Sequence, residues 1–181
     1  MAERRAVELE QFAGLQPAPP LARFSLRGDL TELANGLANA LAPSGVPVSR
    51  AACRAVEADV CAALWLGPDE QLLLAPEQHV VQLTQALKIG LANVPHSLVD
   101  ISQRQTAFEV TGPTARALLN CGCPLDLSDE AFPVGMCTRT LLEKSEIVLW
   151  RRGADRFHVE VWRSFAPYVT ALLAEAAREL A

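Results

Sequence analysis

The stretch Ala22-Arg23-Phe24-Ser25-Leu26-Arg27-Gly28-Asp29-Leu30-Thr31-Glu32-Leu33, running on through Leu37 to Leu41, decides the fold. Its first six residues alternate between two faces, the period of a strand. Gly28 breaks that period. Asp29 then stands three residues before Glu32, the spacing of a capping box at a helix start. Leu30, Leu33, Leu37 and Leu41 follow as an apolar helical stripe, and Pro43-Ser44-Gly45 ends it. A strand that turns tightly into an amphipathic helix is the opening of an αβ unit.

The pattern recurs downstream. Cys53 to Val56 and Val60 to Leu66 read as strands, Gly67-Pro68-Asp69-Glu70 as a turn, and Leu72-Leu73-Leu74 as a short buried strand. Pro76-Glu77 opens a helix carrying Val80, Leu83 and Leu87, because Pro and an acid suit a first helical turn. Ser97 to Val110 is extended. Thr111-Gly112-Pro113-Thr114 turns it into a helix from Ala115 to Leu119, closed by Gly122. Met136 to Leu142, Glu146 to Trp150 and Arg156 to Trp162 read as three strands. A last helix begins near Ser164, whose hydroxyl is the expected cap, with Phe165, Val169, Leu172, Leu173 and Ala176 on its core face. The order predicts an α+β fold of ferredoxin-like αβ units, with antiparallel sheets covered by helices. Residues 1–20 read as a mobile arm with Leu9, Phe12 and Leu15 at helical spacing, ended by Gln16-Pro17-Ala18-Pro19-Pro20. Residues 21–181 read as a single domain, divisible into halves at about 21–95 and 96–181.

Composition narrows the function. The 181 residues hold 16 Lys and Arg against 21 Asp and Glu, a formal net charge of −5, and 50% are hydrophobic. That apolar share excludes intrinsic disorder. The acidic balance argues against nucleic acid, whose phosphates require a basic patch. No run of ~18 residues is free of charges, Pro and strongly polar groups, so no membrane span is expected. The charged start Met1-Ala2-Glu3-Arg4-Arg5 lacks an apolar signal core, which points to the cytoplasm.

The chemically suggestive residues divide into several groups. Cys53, Cys61, Cys121, Cys123 and Cys137 are odd in number and include one C-x-C pair. Zinc sites use paired ligands at fixed spacings and no second pair exists, so these read as free thiols packed as small hydrophobes, with no metal site. His79, His96 and His158 are far apart, read without an acid or thiol at ligand spacing, and His158 reads as a strand residue rather than a base. Asp100 and Ser102 read as a turn, the carboxylate accepting backbone N–H groups. Arg104, Arg139, Arg151, Arg152, Arg156 and Arg163 read as surface arginines or interface groups. Trp162, Arg163 and Phe165 adjoin a helix start and, with Arg104, are the candidate interface residues. Trp65 and Trp150 are weaker candidates, since core packing suits each equally. No dinucleotide fingerprint or phosphate-binding loop occurs, and no catalytic or cofactor-binding residue is assigned.

Seven segments taken in order resemble the gamma subunit of heterotetrameric sarcosine oxidase. They are Phe24 to Asp29, Leu64 to Glu70 with Leu72 to Leu74, Val99 to Thr106, Val110 to Pro113, Gly122 to Leu127, Phe132 to Gly135 and Val161 to Tyr168. The resemblance covers most of the chain from about residue 22 to 178. The family is in turn similar to the folate-binding domain of aminomethyltransferases, the T-proteins, through Asp100, Ser102, Thr111, Gly112 and Pro113. The resemblance implies a T-protein-like fold and a non-catalytic subunit beside alpha, beta and delta chains. It implies a complex that oxidises sarcosine to glycine with formation of hydrogen peroxide and 5,10-methylenetetrahydrofolate, or formaldehyde. FAD, FMN, NAD, zinc and tetrahydrofolate would then lie on the other chains. The hairpin Leu141 to Val148 lacks the Gly pair and acid pair that serve the pterin in folate-binding relatives. Two other readings stay open: a stand-alone tetrahydrofolate-dependent one-carbon protein of the aminomethyltransferase type, and a generic cytoplasmic protein-binding module.

Overall fold

The computed structural model describes residues 14–38, 40 and 45–180. The expected helical spacing of Leu9 and Phe12 and the end of the first helix at Leu41 lie outside them. The chain forms two compact units, residues 20–103 and residues 1–19 with 104–181.

In the unit spanning 20–103, β2 (Leu21–Arg27) leads into α1 (Leu30–Leu37). Asp29 caps this helix as the sequence requires, its Oδ1 accepting the N–H groups of Thr31 and Glu32, each at 2.9 Å. There follow β3 (Ala55–Glu57), β4 (Ala62–Gly67), β5 (Glu70–Pro76), a 3₁₀ turn (Glu77–His79), α2 (Val80–Gly90) and β6 (Ser97–Asp100). The strands lie in the order β3-β4-β5-β2-β6, all pairs antiparallel. Phe24 and Leu26 of β2 and Leu73 and Ala75 of β5 meet Leu33, Leu37, Leu83 and Leu87 of the two helices in one core.

Where α1 meets α2 the backbones touch. A Cβ on Gly36 would come within 2.5 Å of the Gly90 carbonyl, and one on Gly90 within 2.7 Å of the Gly36 carbonyl. Alanine gains about 1 kcal/mol of helix propensity over glycine, but overpacking against rigid backbone costs typically 1–3 kcal/mol. Overlap with backbone wins. Gly90→Ala is expected to lower the urea midpoint of the full chain, and a raised midpoint would contradict this packing.

The second unit takes β1 (Leu15–Pro17) from the start of the described chain. It adds β7 (Gln105–Thr111), α3 (Ala115–Asn120), β8 (Cys137–Leu142), β9 (Ser145–Gly153), β10 (Arg156–Trp162) and α4 (Ala166–Glu179). Its strand order is β1-β7-β10-β9-β8. Position by position this repeats the other sheet, with β1 standing where β6 stands. Phe108, Val110, Leu149, Phe157, Val159 and Val161 face Leu118, Leu119, Val169 and Leu173 of the helices.

Three sequence expectations change. Leu15, Gln16 and Pro17 are not an arm but an edge strand, paired with Val110, Glu109 and Phe108; an edge is where a strand tolerates Pro. The halves divide near residue 103 rather than 95, because β6 returns to pair with β2. Ser164 does not cap α4. Phe165 is the N-cap without a side-chain bond, and Pro167 in the first turn favours the start.

Candidate functional site

A closed grouping of polar and aromatic side chains lies on the sheet β1-β7-β10-β9-β8, and exposed aromatics occur at the end of β10 and the start of α4. The closed one follows from strand alternation. Phe157, Val159 and Val161 of β10 enter the core, so His158 and Glu160 point to the other face. Register places Glu109 of β7 and Trp150 of β9 on either side of His158. His158 Nδ1 lies 2.8 Å from Glu109 Oε1, and Nε2 lies 2.8 Å from Glu160 Oε1. A ring set between two carboxylate oxygens donates from both nitrogens only as an imidazolium, the form that its bonds to Glu109 and Glu160 favour. Arg156 Nε donates to Glu109 Oε2 at 2.9 Å, and Arg152 stands 3.6 Å from Glu109 Oε1. Arg152 also lies over the Trp150 ring at 4.6 Å, while Trp150 meets His158 edge to face at 6.0 Å.

Burial alone would lower the pKa of His158, but its bonds to Glu109 and Glu160 and their charges outweigh this and raise it. Burial alone would likewise raise that of Glu109. The hydrogen bonds and charges of His158 and Arg156 prevail and hold it below the usual carboxylate range. With His158 only 1% exposed and Glu160 fully buried, the cluster holds a proton without access for a substrate. It is an internal ion network. The sequence reading of His158 as a strand residue rather than a base does not join it to these acids. The signal was present: His158-Val159-Glu160 puts an acid on the same strand face two residues on, although Glu109 is reached only through the register.

The residues named as interface candidates are linked through the backbone. Arg163 N–H donates to the Arg104 carbonyl at 2.9 Å and Phe165 N–H to the Trp162 carbonyl at 2.8 Å. The Arg104 guanidinium lies over the Trp162 ring, 5.4 Å from its centre. Trp162, Phe165 and Tyr168 are 42%, 40% and 39% exposed, so all three rings meet solvent. Tyr168, not singled out from the sequence, follows Phe165 at helical spacing on the same side. By contrast Trp150 is buried and Trp65 half-buried, each against a core or polar network.

The remaining candidates are structural. Ser102 N–H and Oγ–H donate to Asp100 Oδ1 at 2.9 and 2.6 Å, and Arg23 N–H donates to Ser102 Oγ at 2.9 Å. The pair fixes the end of β6, as the turn reading requires. Arg151, read as a surface arginine, is fully buried. Among the thiols, Cys61, Cys123 and Cys137 are buried and Cys121 is exposed. Burial pushes the Cys61 thiol up to about 12. Among the described residues no helix is long and apolar enough to cross a membrane.

The paired αβ sheets have the fold of the aminomethyltransferase class. The glycine cleavage system aminomethyltransferase T of Bartonella henselae superposes with a TM-score of 0.66 over 94% of this chain and 47% of that one, at 13% identity, a likeness of fold alone. The chain belongs to the sarcosine oxidase, gamma subunit family, whose model matches residues 27–179. Sarcosine oxidase subunit gamma of Corynebacterium sp. strain P-1 is 35% identical over 120 residues, 66% of this chain and 58% of that protein. Its counterpart from an Arthrobacter species is 35% identical over 124 residues, 68% and 60%. The chain thus spans less than two thirds of the length of these relatives. A chain of the heterotetrameric sarcosine oxidase of Corynebacterium sp. U-96, solved with pyrrole 2-carboxylate, superposes with a TM-score of 0.83 at 27% identity, over 98% of this chain and 93% of that one.

Proposed function

We propose that this chain is the non-catalytic gamma subunit of a cytoplasmic heterotetrameric sarcosine oxidase, seated on alpha, beta and delta chains. FAD, FMN, NAD, zinc and tetrahydrofolate are assigned to those partners. The complex would oxidise sarcosine to glycine while oxygen is reduced to hydrogen peroxide. The methyl carbon would leave as 5,10-methylenetetrahydrofolate or, without the folate, as formaldehyde. The observation that carries this reading is the match along 98% of the chain to a component of a heterotetrameric sarcosine oxidase. The chemistry agrees: the His158 network is closed to solvent, and Trp162, Phe165 and Tyr168 are exposed aromatics of the kind that anchor interfaces.

The test is co-expression of the tagged chain with alpha, beta and delta chains. The expected result is recovery of all four in fixed ratio, with sarcosine-dependent peroxide formation in the recovered complex. Recovery of the tagged chain alone, while the other three form a fully active oxidase, would overturn the reading.

A further inference from the structure

We propose that β1, with its flanking residues Gly14 and Ala18, is a clasp that opens on its own and that, when seated on β7, seals the buried Glu109–His158–Glu160 network against water. The register carries the proposal. Glu109 of β7 stands opposite His158 on one side and opposite Gln16 of β1 on the other. Directly opposed residues share a sheet face. Glu109 is thus flanked on both sides and is only 8% exposed. With β1 lifted, β7 becomes the edge of the sheet, and the Glu109 carboxylate meets water from that side. Water then competes for the oxygens that face His158 Nδ1 and Arg156 Nε. Charged hydrogen bonds of this kind owe their strength to a dry, low-dielectric setting. Opening the clasp therefore weakens the network.

The same strand is the piece of the sheet built to open. Leu15 is buried, but Gln16 and Pro17 are exposed, and Pro17 has no N–H to give. At its ends Thr111 N–H donates to the Gly14 carbonyl at 2.6 Å and Ala18 N–H donates to the Ala107 carbonyl at 2.9 Å. By contrast, β10 pairs with β7 along its whole length from Arg156 to Trp162. A short ladder with one buried side chain opens locally at lower cost than the sheet behind it. Seating is nonetheless selective. Gly14 has φ +100°, and a Cβ there would lie 2.0 Å from the Thr111 carbonyl oxygen, so the seat admits no side chain. Coupling is reciprocal: if the seated clasp strengthens the network, the intact network holds the clasp down.

Amide exchange of the full chain, followed residue by residue, tests this. In the wild type, Thr111 and Ala18 are expected to exchange well before Val159 in the middle of β10. Equal rates would mean that β1 leaves only with global unfolding and would overturn the clasp. Glu109→Gln, which removes the charge and keeps the shape, is expected to speed exchange at Thr111 and Ala18 about tenfold. Glu175→Gln, on the exposed side of α4, should leave both unchanged. Wild-type rates at Thr111 and Ala18 in Glu109→Gln, with Val159 alone accelerated, would overturn the coupling. Gly14→Val supplies a second readout, because its side chain unseats the clasp. Glu109→Gln is expected to lower the urea midpoint less in that background than in the wild type. An equal loss in both backgrounds would likewise overturn the seal. Should Gly14→Val not fold, the exchange comparison decides alone.

Discussion

Replacing His158 by Leu is expected to be the most destabilising single change in the chain, and its cost should depend on pH. The substitution removes the cation shared by Glu109 and Glu160 and leaves two buried carboxylates facing an aliphatic side chain. Removing one partner from a buried ion pair typically costs about 3–5 kcal/mol. Arg156 and Arg152 still face Glu109, which softens the loss on that side. His158→Gln, which can donate to one carboxylate, should lose less. The folded pKa of His158 lies above its ordinary 6.5. Its contribution is therefore complete below pH 6.5 and is lost as pH rises through the folded value. Glu109 is held below its ordinary 4.5. That contribution is complete above pH 4.5 and is lost as pH falls through the lower folded value. The network is at full strength between pH 4.5 and 6.5. Urea denaturation of the full chain should show a larger gap between wild type and His158→Leu at pH 5.5 than at pH 9. An equal gap at both would mean that the ring is neutral and the network is not an ion cluster.

How far sequence could foresee this follows from the range of each interaction. The Asp29 cap was legible because donor and acceptor lie within three residues. The alternation of β2 and β10 was legible because it repeats within each strand. By contrast, β1 is three residues long and contains Pro17, and only pairing with β7, more than ninety positions away in the chain, makes it a strand. The boundary near 103 was missed for the same reason: Ser97 to Asp100 joins its sheet through β2. Trp162, Arg163 and Phe165 lie within four positions of one another, whereas the approach of Arg104 to the Trp162 ring needed the register of β7 with β10. Glu109 carries no local mark at all. Its partners come from β9 and β10, so it is visible only after folding.

Arg151 carries the second large effect. Its guanidinium has five N–H donors in a fixed fork, and each has an acceptor. Nε donates to the Gly153 carbonyl at 3.2 Å. Nη1 donates to the carbonyls of Ser128 and Phe132 at 3.4 and 2.7 Å. Nη2 donates to the Ala154 carbonyl at 2.6 Å and to Asp129 Oδ1. The head also lies over Phe157 at 5.4 Å. One side chain thus ties the loop before β8 to the turn between β9 and β10. Asp129 is 75% exposed, so the ion pair is screened and contributes at most about 1 kcal/mol. The carbonyls decide, because a buried acceptor left without a donor costs about 1–3 kcal/mol. Arg151→Met, which keeps the apolar stem, is therefore expected to cost about 3 kcal/mol. For a chain of this length that lowers the melting temperature by roughly 6–12 °C. Arg151→Lys retains the charge but offers three donors from a point, and should lose most of the same stability. Asp129→Ala should lose little. Thermal unfolding of the three variants separates the two explanations: if Asp129→Ala falls as far as Arg151→Met, the charge pair and not the carbonyl cage holds this corner.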